Sequence, residues 1–151
     1  MVVIRPIRLQ DAPAFRAFVE RLSPESRYGR FQYVVKEVSP ALLRLLVEAD
    51  PRNHVALVAE HDGEVVGEAR YVRQDEGAEF ALAVADDWRR RGVGNRLFQE
   101  LLAYARRDGL KRLDGEVLAW NAAMLGFVEQ HGFRVRPHPG DERLLRIELA
   151  L

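Results

Sequence analysis

The chain has 151 residues, 48% of them hydrophobic and 30% charged, enough for one domain with a substantial core. Twenty-three basic residues cancel twenty-three acidic ones, so no global charge marks a nucleic-acid binder, and an anion site has to be built locally. No cysteine is present, which excludes disulfides, thiolate metal sites and a cysteine nucleophile.

The start, MVVIRPIRLQD, lacks the apolar run of a secretory signal, and no stretch approaches a membrane span. A cytoplasmic protein without membrane partners, folded as one domain over 1–151, is the expectation. Val2–Ile7 reads as a β-branched strand. Asp11 is placed to cap a helix with Ala14, Phe15, Phe18, Val19 and Leu22 on its apolar face. Ser23-Pro24 opens a short helix through Tyr28. Ser39-Pro40 opens another, with Leu42, Leu43, Leu45, Leu46 and Val47 as its stripe. Asn53–Glu60 and Glu64–Arg73 flank Asp62-Gly63, a two-residue hairpin signal.

A third strand, Ala78–Ala85, leads through Asp86-Asp87-Trp88 into a glycine-containing helix start. That helix turns Leu97, Phe98, Leu101, Leu102 and Ala105 inward and ends at Gly109. Lys111–Ala119 reads as a strand. Asn121 caps a helix carrying Met124, Leu125 and Val128 and ending at Gly132, and Phe133–Arg136 and Arg143–Leu151 close as strands. The order is that of a mixed α/β (α+β) domain.

The most informative segment is Val84–Leu97, a strand, a turn and a helix start with Gly92 and Gly94 at the turn. A helix start leaves backbone N–H groups unpaired and carries the positive end of the helix dipole. Glycine lets an anion approach without a Cβ in the way, and Arg89, Arg90 and Arg91 add charge. Phosphate suits such a place. The P-loop would need Gly-Lys-Ser/Thr after the second glycine, and the dinucleotide fingerprint would need a third glycine where Leu97 stands.

What remains, Arg89-x-x-Gly92-x-Gly94, resembles the R/Q-x-x-G-x-G/A signature of the GNAT acetyltransferase superfamily. A second motif of that superfamily has its match in Asn121-Ala-Ala-Met124, followed by Gly132-Phe133, and the order of elements agrees along essentially the whole chain. Leu22–Phe31, Gly77–Phe80, Ala85–Trp88 and Asn121-x-x-Met124 look like the bacterial and archaeal protein-lysine acetyltransferase branch. The resemblance implies a mostly antiparallel central sheet with helices on both faces. It also implies an acetyl-CoA-dependent N-acetyltransferase whose loop holds the cofactor pyrophosphate. Cofactor contacts are then expected from Leu82, Ala83 and Val84 on the strand, from Arg89, Arg90, Arg91, Gly92, Val93, Gly94, Asn95 and Arg96 on the loop and helix start, and from Asn121 and Met124.

Acetyl transfer to an amine needs the amine neutral, yet a lysine amine in water has a pKa near 10.4. A carboxylate has to take the proton, and a backbone N–H is wanted for the charge that grows on the carbonyl oxygen. Glu79 is the expected base, at the place where the resembling branch carries its glutamate; Glu68 on the neighbouring strand is its rival. A splayed or bulged strand around Leu82–Val84 is expected to supply the N–H. Val128 stands where many relatives have a tyrosine that protonates the leaving thiolate, so no general acid is named. Asn121 is open to two roles, helix cap and cofactor contact. His54, His61, His131 and His138 lack metal-ligand spacing, and no metal is expected.

The favoured acceptor is a protein lysine in a ternary complex with acetyl-CoA. A small amine, or a non-catalytic acyl-CoA-binding module, are the alternatives. Nucleic acid is not an expected partner, and association into a homodimer is left open.

Overall fold

Seven strands and five helices follow one another in the computed structural model, which describes residues 1–151. β1 (Val3–Pro6) precedes three helices, α1 (Ala12–Arg21), α2 (Pro24–Phe31) and α3 (Pro40–Val47). A meander of β2 (His54–His61), β3 (Glu64–Gln74) and β4 (Gly77–Val84) leads to α4 (Val93–Arg107), β5 (Arg112–Leu118), α5 (Ala122–Gln130), β6 (Arg134–Pro137) and β7 (Leu144–Ala150). The strands form one sheet in the order β1-β2-β3-β4-β5-β7-β6, antiparallel everywhere except between β4 and β5.

Local signals account for most of these boundaries. Ser23 and Ser39 accept the N–H groups of Ser26 and Leu42 and so cap α2 and α3. Asp62 and Gly63 both have positive φ, +50° and +80°, the twist that a two-residue hairpin needs. Asp11 departs from expectation. Its carboxylate makes two 2.8 Å bonds to Arg5 and accepts the Arg8 N–H, so it ties β1 to the turn before α1 instead of capping the helix. An arginine fork binds a carboxylate more strongly than a neutral amide does, and Arg5 wins.

Two cores lie on opposite faces of the sheet. On one, Leu97, Phe98, Leu101, Leu102 and Ala105 of α4 pack with Leu57, Val66, Phe80, Leu113 and Val128. On the other, Phe15, Phe18, Val19 and Leu22 of α1 pack with Leu46, Val47, Val58 and Val65. Each of the valine, leucine and phenylalanine side chains contributes roughly 1.5–3 kcal/mol by burial. Gly67 lets α4 sit close on β3, since a Cβ there would stand 2.9 Å from the Leu97 side chain.

The feature that positions the site is the junction of β4 and β5. β3 pairs with β4 over all eight residues without a break in register. β4 and β5 pair at only three positions, ending at Glu79↔Asp114, and then diverge. The expected opening around Leu82–Val84 is thus a splay between strands, with no bulge.

Candidate functional site

The splay opens into a cleft of about 1170 Å³, bounded by β4, the loop before α4, the start of α5, and α2. Its backbone donors follow from the register. The Ala85 N–H donates to the Val66 carbonyl on β3 at 2.8 Å. Peptide groups alternate sides along a strand, so those of Leu82 and Val84 face away from β3, into the gap that β5 has left. On the β5 side, the Gln32 side chain donates to the Glu116 carbonyl at 2.8 Å, standing in for the missing strand.

At the far end of β4 the loop behaves as its glycines suggest. Arg90 and Gly92 have positive φ, +62° and +80°, with a residue of ordinary φ between them. Such alternation turns successive amides toward one side, an anion-binding concavity. The first bond to the helix start runs from the Arg96 N–H to the Gly92 carbonyl at 3.1 Å. The amides of Val93, Gly94 and Asn95 precede it and have no intrahelical partner. A Cβ on Gly92 would meet nothing within 4 Å, so the concavity is open. Free amides, a helix dipole and adjacent arginines fit the diphosphate of coenzyme A.

Of the residues expected at the cofactor, Leu82, Ala83, Val84, Arg89, Arg90, Gly92, Val93, Gly94, Asn95, Asn121 and Met124 all line this cleft. Arg91 and Arg96 do not. The Arg91 guanidinium lies 4.6 Å above the Trp88 ring, and Arg96 reaches the Val2 carbonyl at 3.1 Å, on the side of α4 toward β1. Trp88, itself packed against His61, supports the loop from below. Asn121 caps α5, its side-chain carbonyl oxygen accepting the Met124 N–H at 3.2 Å, and the residue lines the cleft. Val128 is fully buried in the α4 core and does not line the cleft.

The two candidate carboxylates separate sharply. Glu79 is exposed at the vertex of the splay, lining both the cleft and a wholly polar recess on the sheet face beyond it. Its only side-chain hydrogen bond comes from Gln74, at 3.3 Å. Glu68 is 1% exposed. Arg30 of α2 takes one of its oxygens, and the Arg70 Nε, at 2.7 Å, takes the other. Burial alone would raise its pKa, but the two guanidiniums overcome that and hold it at about 2. A carboxylate so buried and so paired lacks the access and the basicity to deprotonate an ammonium. Glu68 is a counter-ion, a correction to its candidacy as base.

Sequence reasoning missed what α2 does. Its N-terminus is tied to the loop by Ser23 and Ser26, which both donate to Asp86, and by Arg89, which donates to Ser26 at 2.9 Å. Near its other end, Tyr28 stacks on the half-exposed Trp120 and accepts from Arg143 at 3.1 Å. α2 therefore bridges the mouth of the splay. Its Ser23-Pro24 start and the branch resemblance of Leu22–Phe31 were legible beforehand; these contacts were not, because every one of these partners is distant in the chain. Among the histidines, His131 joins Asn95 to the Phe127 carbonyl through its two ring nitrogens, at 2.8 Å each. No group of three or more His, Cys, Asp or Glu side chains is arranged to hold a metal ion, and no helix is long and apolar enough to cross a membrane.

Comparison with known proteins points the same way. Residues 15–133 match the acetyltransferase (GNAT) family. An acetyltransferase of Pseudomonas aeruginosa is 36% identical over 99% of this chain and 84% of that protein. Acetyltransferase Pat of Mycolicibacterium smegmatis is 34% identical over 85% of this chain, a match that spans 40% of Pat. The GNAT domain of S. lividans PAT superposes with a TM-score of 0.92 at 29% identity, over 98% of this chain and 89% of that one. PaiA N-acetyltransferase of Thermoplasma acidophilum, solved with coenzyme A, superposes with a TM-score of 0.81 at 15% identity over 100% and 99% of the two chains, a likeness of fold.

Proposed function

This chain belongs to the GNAT acetyltransferase family and is an acetyl-CoA-dependent N-acetyltransferase; from that premise we propose that it acetylates the side-chain amine of a protein lysine, by direct transfer with both substrates in the cleft and Glu79 as base. The observation that carries the reading is the position of Glu79. It stands where the strands part, with the cleft on one side and an open polar sheet face on the other. A long, flexible amine presented on a protein surface suits an approach from that open face. The segments that resemble the protein-lysine acetyltransferase branch, Leu22–Phe31 and Gly77–Phe80, border the same place.

Acetyl-CoA supplies an acetyl thioester. The amides of Val93, Gly94 and Asn95, with Arg89 and Arg90, hold the diphosphate. The Leu82 and Val84 backbone in the splay aligns the arm and offers an N–H to the carbonyl oxygen as charge grows there. Glu79 takes a proton from the ammonium, directly or through water. A bond then forms from nitrogen to the carbonyl carbon, the carbon–sulfur bond breaks, sulfur departs with the electron pair, and the nitrogen gives its second proton to water to leave a neutral amide. A thiol of pKa about 8.5 leaves tolerably without protonation, in keeping with an apolar Val128. Much of the remaining acceleration comes from alignment of the two substrates.

The test is an acceptor screen with labelled acetyl-CoA against lysine peptides, whole-lysate proteins, free amino acids and polyamines. Label on lysine side chains is the expected result. Turnover confined to small amines would overturn the acceptor assignment and leave the family's chemistry intact.

A further inference from the structure

Glu68 was set aside as a base, yet it anchors the most deeply buried charge cluster in the molecule. Arg30, Glu68 and Arg70 form a line, carboxylate in the middle, with a formal charge of +1. Arg70 also donates to the Leu46 carbonyl at 2.8 Å and faces the His54 ring nitrogen at 3.3 Å. Burial, followed by the charge of Arg70, pushes His54 down to about 4, so it adds no charge at neutral pH. No other ionic group joins the cluster.

Its placement is set by the register. Glu68 lies opposite Ala83 and Arg70 opposite Ala81, and two residues further along β4 comes Glu79 opposite Val72. Directly opposed residues share a sheet face, so the cluster, the two small alanines and Glu79 share one. Ala81 and Ala83 line the cleft, as does Arg30 itself. The other charged groups bordering the cleft are Glu79 on β4, Glu116 on β5, Glu25 on α2, and Asp86, Arg89 and Arg90 of the loop. The polar recess beside Glu79 adds Arg112, Asp114, Arg136, Arg146 and Glu148, in which Arg112 pairs with Asp114 and Arg136 with Glu148. Glu116 is paired with His138 at 2.8 Å, and Asp86 is held by Ser23 and Ser26.

We propose that Arg30, held by Glu68 and backed by Arg70, is a positioning residue that keeps a net positive charge beneath the acceptor site and so favours the neutral form of the incoming amine. The inference rests on the lysine-acceptor reading. A nearby cation disfavours an ammonium, and one shielded from water does so more strongly than one in solvent. Glu79 removes the proton, while the cluster lowers the hold of the amine on it. The cluster touches neither thioester nor amine.

The test counts charge. The rising limb of kcat against pH, measured on the full chain with saturating acetyl-CoA and a lysine peptide, reports ionisations in the bound complex. Arg30→Lys keeps the charge and is expected to leave the limb in place. Arg30→Met, with net charge zero, should move it up by about one pH unit, the effect of a unit charge roughly 10 Å away at an effective dielectric of about 20. Glu68→Gln, with net charge +2, should move it down. The double variant Arg30→Met/Glu68→Gln returns to +1 and should restore the wild-type limb, although every contact between Arg30 and Glu68 is gone. It also covers the case in which a single variant fails to fold. A cluster that merely pins α2 to the sheet predicts the opposite: the double variant no better than the singles, and rates lowered equally at all pH. Either result overturns the proposal. If wild-type protein leaves lysine peptides unmodified while acetylating small amines, it is the acceptor reading that has failed.

Discussion

Glu79 and Asp114 are the last residues that β4 and β5 hold in register, and the cleft begins immediately beyond them. A carboxylate at that vertex is exposed and unpaired with any cation.

Glu79→Gln keeps the shape of the side chain and removes its basicity. Calorimetry is expected to give unchanged acetyl-CoA affinity, while kcat at neutral pH falls by about 10²–10⁴, the usual contribution of a general base. Wild-type turnover in this variant would assign the proton to bulk water.

Gly94 separates folding from binding. A Cβ there would lie 3.6 Å from Phe127 and Val84 and 3.8 Å from Leu82, ordinary contacts, and the residue has no left-handed backbone. Gly94→Val should fold with little change in thermal midpoint, yet weaken acetyl-CoA by more than tenfold, about 1.4 kcal/mol, because its methyls occupy the wall of the cleft. Undiminished affinity would remove the loop from the binding site.

The three arginines ahead of α4 are not equivalent. Arg89 and Arg90 line the cleft, whereas Arg91 is stacked on Trp88. Replacing Arg89 by alanine should weaken coenzyme A several-fold more than the same change at Arg91 or at Arg96, and with a stronger dependence on salt. Equal losses at all of them, in titrations at two ionic strengths, would contradict this placement.

Acid should unfold the protein partly through Glu68. Its folded pKa of about 2 lies below the ordinary value of 4.5, so its contribution is complete above about pH 4.5 and is lost as pH falls toward 2. His54 acts in an earlier window. Burial depresses it to about 4 from 6.5, the unfolded chain binds its proton first, and stability declines from about pH 6.5 to 4. Urea midpoints across pH should show both windows, and Glu68→Gln should flatten the lower one. That variant also leaves two guanidiniums buried around a neutral amide, at a cost of about 3–5 kcal/mol. A curve below pH 4.5 that is identical in both proteins would count against the pairing.

Legibility in the sequence followed the range of the interaction. The serine caps, the Asp62-Gly63 hairpin and the buried stripe of α4 are local, and each was readable from a few neighbouring residues. The loop glycines were readable too, because a backbone left open to an anion has a compositional mark. Glu68 misled because one partner arrives from α2 and the other stands two residues along the same strand, on the same buried face. A buried ion pair and an available base have the same one-letter code. Arg91 and Arg96 misled because proximity in sequence to an anion site does not fix where a long side chain points; an aromatic face took one and a carbonyl of β1 the other. The residues of α2 were marked by resemblance, but the contacts by which it bridges the cleft come from distant parts of the chain and left no local mark.

With three residue pairs joining β4 to β5, the sheet is nearly two leaves on a short hinge. The Leu82 and Val84 amides belong to a central strand, where protection is normally high, yet they lack a neighbour on one side. Deuterium should therefore reach them early in the free protein and late once a ligand fills the gap, making the central strand the part of the scaffold most stiffened by its own substrate.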